Sequence, residues 1–319
     1  MAESKVSSKR SDDDLFVVIL AGGIGSRFWP ASTPNRPKQL LALATDSPLI
    51  VDTFRRGAGI VPVNQVRLLA NARLTAAFQA LPEQWEDDVC WIEPRARGTC
   101  PALAWAAWSI ERECPGAVMI SLHSDHLIEP LDDFQRTISA AVELARNREI
   151  LVCIGAVPDR IETGYGYIHP GESIALESEI EASTVSAFHE KPNAANAERY
   201  LQEGYLWNTG MFVWKASTFL NEVRVNAPEI GACLPLLEES PEAFFDAVPE
   251  GPVDTMVLER SACVGVVQAS FSWDDMGSWE SLARNRAPDE DHNVVVGDGV
   301  VREGPNNIVF SEAGQLVLS

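Results

Sequence analysis

Short apolar runs and amphipathic segments alternate along this chain. Leu15 to Leu20 is apolar throughout and β-branched in part, which predicts a strand buried on both faces of a parallel sheet. Val66 to Ala70, Val89 to Ile92, Ala117 to Leu122 and Ile150 to Val157 repeat that texture. Between them lie helical patterns. Pro101 to Cys114 carries proline in its first turn, and Asp132 to Arg148 is acidic at its start and basic at its end, as the helix dipole favours. Asn193 to Glu203 has an asparagine cap and stops at Gly204. The alternation predicts an α/β fold, a Rossmann-like open and mostly parallel sheet with helices on both faces. Ligands of such sheets collect beyond the carboxyl ends of the strands.

The texture changes from about 161 to 215, where glycine, tyrosine and shorter runs predict antiparallel additions covering the sheet edge. From 289 onward short apolar stretches alternate with turn residues, predicting a short C-terminal β segment too small to be a domain. The expected organisation is a loose polar tail over 1–14, one catalytic unit over 15–288 and the β segment over 289–319.

Composition narrows the function. The 319 residues have 46% hydrophobic and 22% charged content, ordinary for a soluble globular protein. A formal charge of −21 argues against nucleic acid as a partner. It also means that an anionic substrate needs local help from Arg, Lys, metal or helix ends. Six scattered cysteines without a CxxC pair suit reduced thiols in the cytoplasm. No run approaches membrane-spanning length, so no membrane is expected. A homodimer is left open.

The first strand runs into Gly22, Gly23 and Gly25, with Arg27 close behind and Arg36-Pro37-Lys38-Gln39 following. Glycines at a strand exit let the backbone approach a ligand and aim N–H groups at it, while Arg27 and Lys38 supply charge for a polyphosphate. The dinucleotide fingerprint fails, because its third glycine position is Phe28. The Walker pattern fails too, because Arg27-Phe28 stand where Gly-Lys is required, five and six residues after Gly22. Two acidic stations follow. Asp125 closes the run Ala117 to Leu122, where a carboxylate can hold Mg²⁺ or merely cap a turn. Asp274 and Asp275 lie beside Gly277 between Trp273 and Trp279, in a segment that alone also reads as an exposed turn. A rival zinc reading uses His123, Asp125 and His126 but lacks a suitably spaced further ligand.

The glycine loop with Arg36-Pro37-Lys38-Gln39 resembles the signature of the sugar-phosphate nucleotidyltransferases, and within them the mannose-1-phosphate guanylyltransferases. The matched motifs run from residue 15 to about 280, in order. The resemblance implies the nucleotide-diphospho-sugar transferase fold. It also implies Mg²⁺ as cofactor, GTP and mannose 1-phosphate as substrates, and catalysis by Arg27, Lys38, Asp125 and Asp275. Asp125 and Asp275 would hold the metal, the second chosen over Asp274 by its place in the Trp-x-Asp-x-Gly-Ser-Trp segment. Leu20, Gly22, Gly23, Gly25, Glu93 and Thr99 would contact the nucleotide; Gly164, Glu190, Lys191 and Asn208 would hold the sugar phosphate.

The chain departs from that pattern in two places. His123 and Ser124 stand where relatives usually have Pro-Ala, and Gly98 stands where they have asparagine, so guanine selection is the less secure expectation. Thr99 and Pro101 read equally well as a plain helix entry, and Glu190-Lys191 as a solvated pair. The neighbouring alternatives are a UDP- or dTDP-glucose pyrophosphorylase and a non-catalytic nucleotide-sugar-binding regulator.

Overall fold

The computed structural model describes residues 13–318 apart from 24, 82–84 and 86–88. The tail expected over 1–14 falls almost wholly outside that range, and Ile24 of the glycine loop is outside it too. The strands are β1 (Leu15–Leu20), β2 (Val66–Asn71), β3 (Cys90–Glu93), β4 (Val118–His123), β5 (Leu127–Glu129), β6 (Leu151–Ala156) and β7 (Gly166–Ser173). They continue with β8 (Ala182–His189), β9 (Leu206–Lys215), β10 (Val264–Gln268), β11 (Ser272–Asp274), β12 (Val294–Val301) and β13 (Ile308–Leu318).

Nine strands form the main sheet in the order β3-β2-β1-β4-β9-β6-β10-β8-β7. The predicted runs become β1, β2, β3, β4 and β6, within a residue or two of their expected bounds. β1 lies at the centre of the parallel part, paired with β2 and β4. Its Phe16, Val18 and Leu20 enter one apolar cluster while Leu15, Val17 and Ile19 enter the other. This two-sided burial explains why the run has no polar face. Helices Thr99–Glu113 and Ala216–Asn226 cover the first face, and Leu49–Ala58 and Leu131–Asn147 the second.

The region after 161 corrects the expectation of an edge cover. β9 runs antiparallel in the middle of the sheet, between β4 and β6. β7 pairs with β8 and also with β9, so β9, β6, β10, β8 and β7 close on one another. The closure sets Gly166 opposite Asn208, and Asn208 opposite Gly155. At the C-terminus the β segment expected after 289 consists of two strands, β12 and β13, paired in parallel. Val296, Ile308 and Phe310 pack against a cluster containing Phe28, Leu41 and Met276, so this segment backs the loop that leaves β1.

Candidate active site

The glycine loop is held by the residues that follow it. Gln39 is buried, and its Nε2 donates to the main-chain oxygens of Ala21 and Gly23, at 2.9 Å each. The Ser32 hydroxyl donates to the Gly25 oxygen at 2.7 Å. Gly25 has φ +64°, and a Cβ there would lie 2.3 Å from the Lys38 Cβ. Any side chain at position 25 would push Lys38 away; the glycine is needed for both conformation and contact.

Lys38 joins the acidic stations. Its Nζ is 2.7 Å from Asp125 Oδ2 and donates to the Asp275 main-chain oxygen, also at 2.7 Å. Two secondary elements bring those aspartates together from opposite ends of the chain. β5 and β11 pair antiparallel with Leu127 opposite Asp274, which places Asp125 and Asp275 just beyond neighbouring strand ends. The Ser124 N–H donates to the Leu20 oxygen at 3.1 Å, tying the Asp125 turn to the exit of β1.

The Asp275 carboxylate is oriented on one side by the Tyr165 hydroxyl at 2.7 Å and the Gly277 N–H at 2.9 Å, both donating to Oδ1. Oδ2 faces Arg27 at 4.0 Å, and the Arg27 side chain is largely exposed. Asp274 is buried, accepts from Met276 N–H at 2.8 Å and meets Arg284 at 3.1 Å. Its carboxylate is thus taken up by contacts within the fold. Burial tends to raise the Asp125 carboxyl, but Lys38 beside it and the nearby histidines bring it down to about 2.

The donors near Lys38 suit a hard divalent cation, since Asp125 and Asp275 offer carboxylate oxygen. His123, Asp125 and His126 do approach one another, with ligand atoms within 4.8 Å. However, His126 Nδ1 accepts from the Trp273 indole N–H at 3.1 Å, so the proton of the neutral ring is on Nε2. Neither nitrogen of His126 is then available to a metal, and the three-ligand zinc reading fails. Burial keeps both imidazoles below their ordinary pKa.

On the base side, Gly22, Gly23, Asn71, Arg73, Glu93 and Arg95 line a pocket of about 340 Å³. Asn71 donates from Nδ2 to the Gly22 oxygen at 3.3 Å. Glu93, at the end of β3, is buried, and burial pushes its carboxyl up to about 7. The Thr99 hydroxyl accepts the Val253 N–H at 2.9 Å at the start of helix Thr99–Glu113. Gly98 has φ +82°, and a Cβ there would lie 2.6 Å from the Gly251 oxygen. That contact and the positive φ give a local reason for glycine at position 98.

On the sugar side, Glu190 and Asn208 meet across Gly166. A Cβ on Gly166 would stand 2.6 Å from Glu190 Oε2 and 3.2 Å from the Asn208 Cβ. Gly164 lies apart and exposed, its N–H donating to Glu162 Oε1 at 2.9 Å. The glycine against which Glu190 packs is Gly166, in the same sequence motif but two positions on. Lys191, with φ +47° and an exposed side chain, pairs with Glu190 at 2.8 Å. The sequence reading missed Asp254, whose Oδ1 accepts from Asn208 Nδ2 at 2.7 Å. Burial and the Glu190 charge raise the Asp254 carboxyl to about 6. No motif marks it in the chain.

Residues 16–292 match the family model described as nucleotidyl transferase. The chain belongs to that family. Among similar proteins, the mannose-1-phosphate guanylyltransferase of Escherichia coli K12 is 36% identical over 94% of this chain and 66% of its own length. The alginate biosynthesis protein AlgA of Pseudomonas aeruginosa is 35% identical over 94% of this chain and 64% of its own. The chain thus spans about two thirds of the length of these curated relatives. A solved structure from Thermus thermophilus, described as a mannose-1-phosphate geranyltransferase, superposes with a TM-score of 0.86 and 29% identity. It covers 95% of this chain and 89% of that one. In this nucleotidyl transferase, no helix among the described residues is long and apolar enough to cross a membrane.

Proposed function

We propose that this chain is an enzyme that transfers GMP from GTP to mannose 1-phosphate, releasing pyrophosphate. The single observation that carries the reading is Lys38 bridging Asp125 and the Asp275 backbone beside a glycine loop. The names of the relatives supply the sugar and the base. A phosphate oxygen of mannose 1-phosphate attacks the α-phosphorus in line, the α–β phosphoanhydride bond breaks, and pyrophosphate departs with the electron pair. The attacking phosphate is already ionised near neutral pH, so no protein nucleophile or base is required; positioning and charge neutralisation carry the reaction.

In this reading Gly22, Gly23 and Gly25 present backbone to the nucleotide, with Leu20 holding the turn and Glu93 accepting from base N–H groups. Arg27 and Lys38 take up charge on the departing pyrophosphate. Glu190, Asn208 and Gly166 receive the sugar, and Lys191 its phosphate. Asp125 and Asp275 would hold Mg²⁺, which when bound offsets the repulsion between the two anionic substrates. The free cysteines fit a reducing compartment such as the cytoplasm.

The test is pyrophosphate release with Mg²⁺, four nucleoside triphosphates being paired in turn with mannose 1-phosphate and glucose 1-phosphate. The expected maximum is GTP with mannose 1-phosphate. A maximum at UTP or dTTP with glucose 1-phosphate would keep the chemistry and overturn both substrates. Silence across the grid from folded protein would overturn the enzyme reading.

A further inference from the structure

A side-chain amide can meet a sugar hydroxyl either way round, as donor through nitrogen or acceptor through oxygen. In this protein the choice for Asn208 is already made. Its Oδ1 accepts the Gly210 N–H at 3.1 Å and its Nδ2 donates to Asp254 Oδ1 at 2.7 Å. Held at both ends, the amide cannot flip without breaking two bonds. One N–H of Nδ2 remains, so Asn208 offers a donor while Glu190 offers a carboxylate acceptor.

Asp254 begins an unusual element. Asp254–Leu258 is a single π turn, closed by the Glu259 N–H donating to the Asp254 oxygen at 2.8 Å. Such turns are rare and frequent at functional sites. Both ends of this one reach the sugar side: Asp254 bonds Asn208, and Glu259 Oε1 accepts the Glu190 N–H at 3.0 Å. The turn is itself moored to the entry of helix Thr99–Glu113. Thr99 accepts the Val253 N–H, and the Cys100 N–H donates to the Gly251 oxygen at 3.1 Å.

We propose that Asp254 is a positioning residue for sugar selection: it fixes the Asn208 amide as a hydrogen-bond donor, and the π turn it opens frames the hexose pocket with Glu190. This inference rests on the reading of the site as one for a sugar 1-phosphate. The ligand class it implies is a hexose 1-phosphate with one hydroxyl that accepts from Asn208 and another that donates to Glu190.

The test compares Michaelis constants and calorimetric binding of mannose 1-phosphate, alongside the KM for GTP, in three variants. Asp254→Leu removes the acceptor at similar volume and is expected to raise the KM for mannose 1-phosphate about tenfold or more, with the KM for GTP within about twofold. Asp254→Asn keeps an acceptor and is expected to restore the sugar KM to within about threefold of wild type. The exchange Asn208→Asp with Asp254→Asn keeps the hydrogen bond but reverses it, removing the N–H from position 208. It is expected to melt like wild type and still bind the sugar phosphate weakly, which keeps the idea testable if Asp254→Leu does not fold.

A sugar KM unchanged in Asp254→Leu, both KM values rising together, or an exchange variant with wild-type affinity would each overturn the inference. Wild-type protein that neither binds nor turns over mannose 1-phosphate would instead overturn the functional reading beneath it.

Discussion

Two acidic regions flank the reaction centre, and they treat their carboxyl groups in opposite ways. At the phosphate corner Asp125 is paired with Lys38 and sits at about 2 despite burial. At the sugar pocket Asp254 has an amide and another carboxylate for company and rises to about 6. Burial alone raises a carboxyl; a buried cation within hydrogen-bond reach reverses it. The pairing with Lys38 favours the charged form of Asp125, which the proposed cation site would need. At the second region, burial and the neighbouring Glu190 charge disfavour the charged form of Asp254. A chain of net charge −21 thus places a buried cation, Lys38, between Asp125 and the Asp275 backbone, where the proposed reaction would bring two anions together.

The strongest way to break the comparison is at the phosphate corner. Asp275→Asn and Lys38→Ala are each expected to lower kcat by about 10²–10³, the usual cost of removing one preorganised charge from a transition state. Pyrophosphate release by purified, folded variants checks this, and near-normal turnover in both would dissolve the distinction between the regions.

Glu93 sharpens it, being an acid raised by burial. Its pKa is raised from 4.5 to about 7, so ionisation opposes folding. That cost is absent below about 4.5, grows through the window to about 7 and is constant above it. Glu93→Gln should therefore be more stable than wild type at pH 8 by about 2 kcal/mol, with the gain vanishing toward pH 5. Denaturant titrations at the two pH values measure it, and a gain that grew on acidification would reverse the sign of the argument.

A smaller effect separates the two glycines of the sugar motif. Gly166→Ala, which drives a methyl into Glu190 Oε2, is expected to raise the KM for mannose 1-phosphate about tenfold. Gly164→Ala should stay within about twofold. Equal effects would mean that the pocket is organised differently around Glu190.

The local pieces of this site were legible because their causes are local. An all-apolar β1 declares a central strand, and the glycines that end it, with Arg27 and Lys38 behind them, mark the loop that carries the proposal. Asp125 shows itself as a carboxylate at a strand end. The pieces that stayed hidden depend on distant partners. Nothing in the run Leu206 to Lys215 says that it lies antiparallel between β4 and β6, since a strand buried on both faces looks the same in either direction. Asp254 acts through Asn208, 46 positions away, by way of a π turn that has no residue signature. Gly98 reads as a lost asparagine until Gly251 is seen pressed against it.

The most direct test of the central claim, that Asp125 and Asp275 serve one cation as a unit, is the rate of the double variant Asp125→Asn/Asp275→Asn. If the two carboxylates act together, the double variant should fall within about threefold of the worse single variant, since the second loss removes nothing further. Losses that multiply across the two sites would show that the aspartates act independently and would contradict the account.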